Sequence, residues 1–197
     1  MIKITRVYTK KGDKGQTKLA GNQSIAKNDL RIVCIGDLDE LNSNIGFAVE
    51  ALKLNEQLIS MAEICRRIQH ELFSLGAQLA VLPADRTKNT PKITKQHVMQ
   101  LEIEIDSLNE NLPTLNSFIL PGGCEAAERI HLARSVCRRA ERDMHNFNKS
   151  LEVTLDEEIM MYINRLSDLL FVCARYVVKQ TNGIEILWNY GVNNVVI

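Results

Sequence analysis

Apolar residues recur along most of this chain in alternating steps of three and four, the spacing of a helix face packed on a core. Leu58, Met61, Cys65, Ile68, Leu72, Leu75 and Leu79 form the clearest early stripe, which Pro83 ends. Val98, Leu101, Ile105 and Leu108 mark a shorter helix, stopped near Pro113. Ala126, Ile130, Ala133, Cys137, Ala140, Met144, Phe147 and Leu151 hold the rhythm over about seven turns. Leu155, Ile159, Tyr162, Leu166, Leu169, Cys173 and Tyr176 predict a last helix, with Asn182-Gly183 as its stop. A first helix is expected from Asp37, read as an N-cap with Glu40 three residues on, to about Leu54. Residues 1–35 lack a helical period and carry Gly12, Gly15 and Gly21, which predicts an extended or looped arm. Residues 83–93 hold two prolines among polar residues and read as a connection; 183–197 read as a tail. Long helices with short links predict an all-α, up-down bundle of five helices around a four-helix core, spanning residues 36–182.

Composition narrows the function classes. A chain of 197 residues, 45% of them apolar, is long enough for one domain with a real core. Lys and Arg together number 24, matched by 24 Asp and Glu, so no global field favours nucleic acid or a membrane surface. Any anion site must be built locally. No apolar run approaches the roughly 20 residues of a membrane span, and the chain opens MIKITR without a signal core. A soluble cytoplasmic protein is expected. Five cysteines, an odd number with no CxxC pair, point to reduced thiols. Cys65, Cys137 and Cys173 fall on the apolar stripes and read as small buried hydrophobes. His70, His97, His131 and His145 lack ligand spacing, so no protein-bound metal is expected.

The candidate chemistry concentrates on the fourth helix. Arg134, Arg138 and Arg142 stand at i, i+4 and i+8, with Arg129 and Arg139 on adjoining faces. Like charges at that spacing oppose one another by a few tenths of a kcal/mol per pair, so a ligand or partner anion should answer them. Guanidinium groups match phosphate oxygens bidentately, which makes a polyphosphate the natural candidate; a solvated basic face is the plain alternative. Phe118-Ile119-Leu120-Pro121-Gly122-Gly123 leads into this helix and places apolar residues in a loop, where they call for a cover. Its glycines suit either an anion at the helix start or a purely structural turn. In the arm, Thr9 to Lys18 gathers four lysines, two threonines and two glycines, a phosphate-friendly composition without Walker order. Asn164, Asp168 and Arg175 form a polar line on the otherwise apolar last helix. Asp168 or Asp39 is expected to pair with an arginine of the fourth helix or to touch ligand. No nucleophile with an adjacent base is evident, Cys124 being a lone thiol.

Together these segments resemble the ATP:cob(I)alamin adenosyltransferases of the propanediol-utilisation (PduO) type. The resemblance rests on T-x-x-G-D-x-G-x-T at Thr9 to Thr17, and G-x-x-D-E-L-N-S at Gly36 to Ser43. It extends through F-I-L-P-G-G at Phe118 to Gly123, H-x-A-R-x-V-C-R-R-A-E-R at His131 to Arg142, and Y-I-N-R-L-S-D at Tyr162 to Asp168. It implies a homotrimer with ATP and corrinoid bound between neighbouring subunits, transfer of the 5′-deoxyadenosyl group to cobalt, and release of triphosphate. By the same resemblance Thr9, Lys10, Lys11, Gly12, Thr17, Lys18 and Lys27 hold ATP with Arg138, Arg139, Glu141, Arg142 and Asn164. Arg138 is the first catalytic candidate. Asp39 and Arg134 correspond to an ion pair across the subunit interface, and Phe118 to the aromatic that displaces the lower ligand of cobalt. Phe73 and Phe171 are expected in the same corrinoid pocket. Mg²⁺ is expected to arrive with ATP, and a cobalamin reductase and an adenosylcobalamin-dependent enzyme are the implied partners. The rival is a non-catalytic trimeric bundle that binds nucleotide or a protein partner as a sensor.

Overall fold

A computed structural model describes residues 8, 10 and 12–189. Five long helices carry it: α1 (Leu30–Leu52), α2 (Ile59–Ala80), α3 (Lys95–Asn109), α4 (Glu125–Lys149) and α5 (Glu157–Gln180). The arm contributes a hairpin of β1 (Gln16–Lys18) and β2 (Ser24–Ala26), paired antiparallel. A second two-stranded pair, β3 (Ile119–Leu120) with β4 (Ile186–Leu187), ties the loop before α4 to the chain after α5.

The first helix begins eight residues earlier than the pattern predicts. Asp29, not Asp37, is the N-cap, its carboxylate accepting from the Arg31 amide at 2.8 Å. Asp37 and Glu40 lie inside the helix, where both face α4 instead of capping a terminus. The proposed arm therefore yields its last six residues to α1. The other expected helices are present. Thr94 and His97 form a capping box at the start of α3, with the Thr94 amide donating to His97 Nδ1 at 3.1 Å. At the end of α5, Asn182 adopts φ 53° and the Gly183 amide returns to the Val178 carbonyl at 2.8 Å, the predicted stop.

Consecutive helices alternate in direction. Asn42 meets Gln69 and Arg31 meets Leu79 across α1 and α2, while Phe47 meets Arg129 and Glu40 meets Arg139 across α1 and α4. The packed order is α2, α1, α4, α5, α3. Leu41, Ile45, Leu72, Leu75, Ile130, Leu166, Cys65, Cys137 and Cys173 are buried along its interior. Burial pushes the Cys65 thiol up to about 12, so these cysteines pack as hydrophobes.

One polar cluster interrupts that core. The Tyr162 hydroxyl donates to Glu71 Oε2 at 2.7 Å, and Arg67 bridges Glu71 on its own helix to Glu104 of α3 at 2.5 Å. Tyr162 is fully buried and burial raises its phenol, keeping it a donor. The cluster joins α2, α3 and α5 in a single register. Tyr162→Phe strands a buried carboxylate oxygen, so it is expected to destabilise by about 1.5–3 kcal/mol. Denaturant unfolding at fixed protein concentration checks this; an unchanged midpoint would contradict the cluster's role.

Candidate active site

The five arginines of α4 divide into two groups. Arg129 lies over the Phe47 ring with its guanidinium 3.5 Å from the centroid, donates to the Phe47 carbonyl at 2.8 Å and pairs with Glu125. Arg139 pairs with Glu40 and, through Nε at 3.4 Å, with Asp37; the Glu40 hydrogen bond heads the causes that raise its pKa. These two are answered within the chain. Arg134, Arg138 and Arg142 have no hydrogen-bonded or ion-paired partner among the described residues. Arg138 and Arg142 are exposed, while Arg134 is half-buried with its Nε unpartnered. Burial, then the Arg138 charge, lowers the Arg134 pKa. The predicted stripe is thus a row of three unanswered cations one turn apart.

Around it, Asn164 Nδ2 of α5 donates to Glu141 Oε1 at 2.8 Å, bringing those two predicted residues together beside Arg138 and Arg142. The expected pairing of Asp168 or Asp39 with an arginine of α4 does not occur within the chain: neither carboxylate has an ion-pair partner among the described residues, and Asp37 and Glu40 take Arg139 instead. Asp168 is exposed beside Arg165, which is occupied by Glu102.

The glycine turn before α4 is structural. Gly123 adopts φ 95°, and a Cβ there would sit 2.6 Å from a Val178 methyl, so only glycine lets the turn pack on the end of α5. Glu125 and Glu128 already occupy the first turn of α4, which disfavours an anion at that terminus. The cation stripe lies two turns further on.

The apolar loop does meet a cavity. About 700 Å³ opens between Phe118, Ile119, His131, Arg134, Phe171 and Trp188. Phe118 is 79% exposed at its rim. Its segment is held by the Trp188 amide donating to the Phe118 carbonyl and by Ser117 Oγ donating to the Trp188 carbonyl, both at 2.7 Å. The Phe118 and Trp188 rings meet edge-on at 6.3 Å. Neither Trp188 nor His131 was given a role from the sequence: Trp188 falls within the stretch read as tail, and His131 entered only as one of four scattered histidines and as the first residue of a motif. Phe73 and Asp39 line a different cavity of about 480 Å³ between α1 and α2, with Gly36, Asn42 and Gly76. The expectation that Phe73 shares a pocket with Phe118 and Phe171 therefore fails within one chain.

In the arm, Gly15 adopts φ 76°; its amide donates to the Gly12 carbonyl at 3.2 Å, closing the turn over residues 12–15, and its carbonyl accepts from the Lys27 amide at 2.8 Å. A Cβ on Gly12 would lie 3.1 Å from the Lys27 ammonium, so the glycine lets that cation approach the backbone. Lys10, Lys18 and Lys27 are exposed and Thr17 is half-buried. Thr9 and Lys11 lie outside the described residues, as does the tail beyond Asn189. Among the described residues, no hydrogen bond or ion pair joins the arm to the α4 stripe. No group of three or more His, Cys, Asp or Glu is placed to hold a metal ion among them, and none of their helices is long and apolar enough to cross a membrane.

Comparison with known proteins agrees with this geometry. The family model described as cobalamin adenosyltransferase matches residues 7–177. A corrinoid adenosyltransferase of Mycobacterium leprae is 40% identical over 194 residues, covering 96% of this chain and 98% of the relative. One from Bacillus subtilis is 41% identical over 179 residues, covering 91% and 89%. A variant PduO-type ATP:corrinoid adenosyltransferase from Lactobacillus reuteri, complexed with cobalamin and ATP, superposes with a TM-score of 0.86 at 35% identity, over 94% of this chain and all of that one.

His131 supplies a test of the cavity wall. Burial, then Arg134, pushes its imidazole down to about 4 from the ordinary 6.5. The folded chain thus refuses a proton that the unfolded chain accepts, so His131's contribution to stability is full above about pH 6.5 and is lost as pH falls toward 4. Its ring resonances are expected to titrate near pH 4; a midpoint near 6.5 would contradict a neutral wall beside Arg134.

Proposed function

The chain belongs to the cobalamin adenosyltransferase family, and we propose that it transfers the 5′-deoxyadenosyl group of ATP to the cobalt of cob(I)alamin, releasing triphosphate. The observation that carries the mechanism is the row Arg134, Arg138 and Arg142, three cations with no hydrogen-bonded or ion-paired partner among the described residues. In the reaction, the electron pair of Co(I) forms the Co–C bond as the C5′–O bond breaks, and that bond's electrons leave on triphosphate. Cobalt(I) is itself the nucleophile, so no general base is required. The protein's task is to align C5′ with cobalt and to stabilise the charge that develops on the leaving oxygens.

Arg138 and Arg142 are assigned to that charge, bidentate guanidinium to phosphate. Lys10, Lys11, Gly12, Thr9, Thr17, Lys18 and Lys27 of the arm supply the rest of the nucleotide cradle, with Glu141 and Asn164. Arg139 contributes at this site while anchored by Asp37 and Glu40. Mg²⁺ accompanies the triphosphate, held by phosphate oxygens and water; no protein cluster of three ligands stands ready for it among the described residues. Phe118, Phe171 and the cavity they line receive the corrinoid, with Phe118 displacing the lower ligand of cobalt. Its exposure at the rim leaves the ring available for that contact.

The functional unit is a homotrimer with its sites between subunits. Two features support this: the Asp39–Phe73 cavity and the Phe118–Arg134 cavity are separate in one chain, and the arm lacks a bond to the stripe it would serve. Asp39 of one subunit then answers Arg134 of the next. A cobalamin reductase upstream and an adenosylcobalamin-dependent enzyme downstream, in the cytoplasm, complete the reading.

Incubation with ATP, Mg²⁺ and chemically reduced cob(I)alamin should give the absorbance change of Co–C bond formation, and ATP binding without product would refute the enzyme. Arg138→Ala is expected to lower kcat about 100-fold, the loss typical of one transition-state donor, while the assembly persists. Turnover at the wild-type rate would remove Arg138 from the mechanism. Phe118→Ala should lose activity with cob(II)alamin under a reductase yet retain it with supplied cob(I)alamin; equal loss in both assays would contradict ligand displacement.

A further inference from the structure

One charged residue touches the nucleotide face without standing on it. Arg165 follows Asn164 on α5, and its Nη1 donates back to Asn164 Oδ1 at 2.7 Å. Its Nε donates to Glu102 Oε1 of α3 at 3.0 Å. Asn164 in turn donates from Nδ2 to Glu141 Oε1 of α4 at 2.8 Å. A continuous relay, Glu102 to Arg165 to Asn164 to Glu141, thus crosses three helices and ends beside Arg138 and Arg142.

The chemistry of an amide gives this relay a direction. With a cation at its oxygen and a carboxylate at its nitrogen, Asn164 has one favourable orientation. A flip would set the carbonyl against Glu141 and the NH₂ group against Arg165, replacing two attractive contacts by two repulsive ones. Asn164 alone could swing about its terminal torsion, which is broad and weakly restrained. The Arg165–Glu102 pair is 37% and 43% exposed, so it is worth little to folding. Its geometry still fixes where the guanidinium sits.

We propose that Arg165, anchored by Glu102, is a positioning residue of the nucleotide site: it locks the Asn164 amide and, through it, the Glu141 carboxylate in the orientation that receives ATP. The proposal rests on the assignment of Asn164 and Glu141 to the nucleotide. Neither Arg165 nor Glu102 touches the reacting atoms; they act through the amide.

Arg165→Met keeps the apolar stem and removes every donor. It is expected to raise KM for ATP about tenfold while KM for cob(I)alamin stays within about twofold, a split that a general loss of fold does not produce. Arg165→Lys, which keeps one donor for Asn164 Oδ1, should recover part of the loss. Asn164→Ala should raise KM for ATP at least as far, and the double variant Asn164→Ala with Arg165→Met should be no worse than Asn164→Ala alone. If Asn164→Ala raises KM for ATP but Arg165→Met leaves it unchanged, the relay is refuted while the nucleotide assignment stands. Additive losses in the double variant would also refute it. If Asn164→Ala itself leaves KM for ATP unchanged, the assignment of Asn164 fails, and the proposal with it.

Discussion

Three guanidinium groups, one turn apart on α4 and unanswered among the described residues, are the constraint around which this molecule is arranged. A helix gains nothing from such a row. The same helix shows that acids were available: Arg129 has Glu125, and Arg139 has Asp37 and Glu40. Of the unpaired three, Arg134 lines the cavity beneath Phe118, while Arg138 and Arg142 are exposed and are the pair proposed to meet the nucleotide. On the proposed assignment, a triphosphate leaving group relieves the electrostatic cost of Arg138 and Arg142, and relief that grows as the C5′–O bond breaks is catalysis.

The rest of the fold keeps that row in place. Buried alanines on the inner face of α4, at Ala126, Ala127, Ala133 and Ala140, let the helix sit close between α1 and α5. The Tyr162–Glu71–Arg67–Glu104 cluster sets the register of α5 against α2 and α3 from the far side. Gly123 fits under Val178, and β3 pairs with β4, so the segment bearing Phe118 is braced by the chain that follows α5. Phe118 is therefore exposed without being loose, as its proposed contact with the corrinoid requires.

Much of this was legible in the sequence because amphipathic helices write their inner faces at steps of three and four. Four of the five helices, the cation stripe and the buried cysteines followed from spacing alone. The start of α1 did not, because Gly36-Asp37 and Glu40 imitate a helix start while the true cap, Asp29, precedes residues whose burial is shared among several neighbours. Division of the arginines was hidden for a similar reason: position on a helix gives the face but not the partner across the seam, and Arg139 differs from Arg138 only in meeting α1. Trp188 and His131 escaped because a cavity is made by elements distant in sequence. The glycine turn offered two readings, and the clash that a Cβ on Gly123 would make with Val178, with the acids in the first turn of α4, decides between them.

Each site is proposed to be completed by a neighbouring copy, a reading supported by Asp39 and Arg134 lining separate cavities in one chain. Mixing two inactive variants tests it most directly: Asp39→Ala with Phe73→Ala in one chain, Arg134→Ala with Arg138→Ala in the other, dissociated and reassembled together. Such hybrids place all the damage in some sites and leave others intact, so adenosyl transfer should return in the mixture although neither parent supports it. A mixture as inactive as its parents, in assemblies shown to contain both chains, would contradict the shared site.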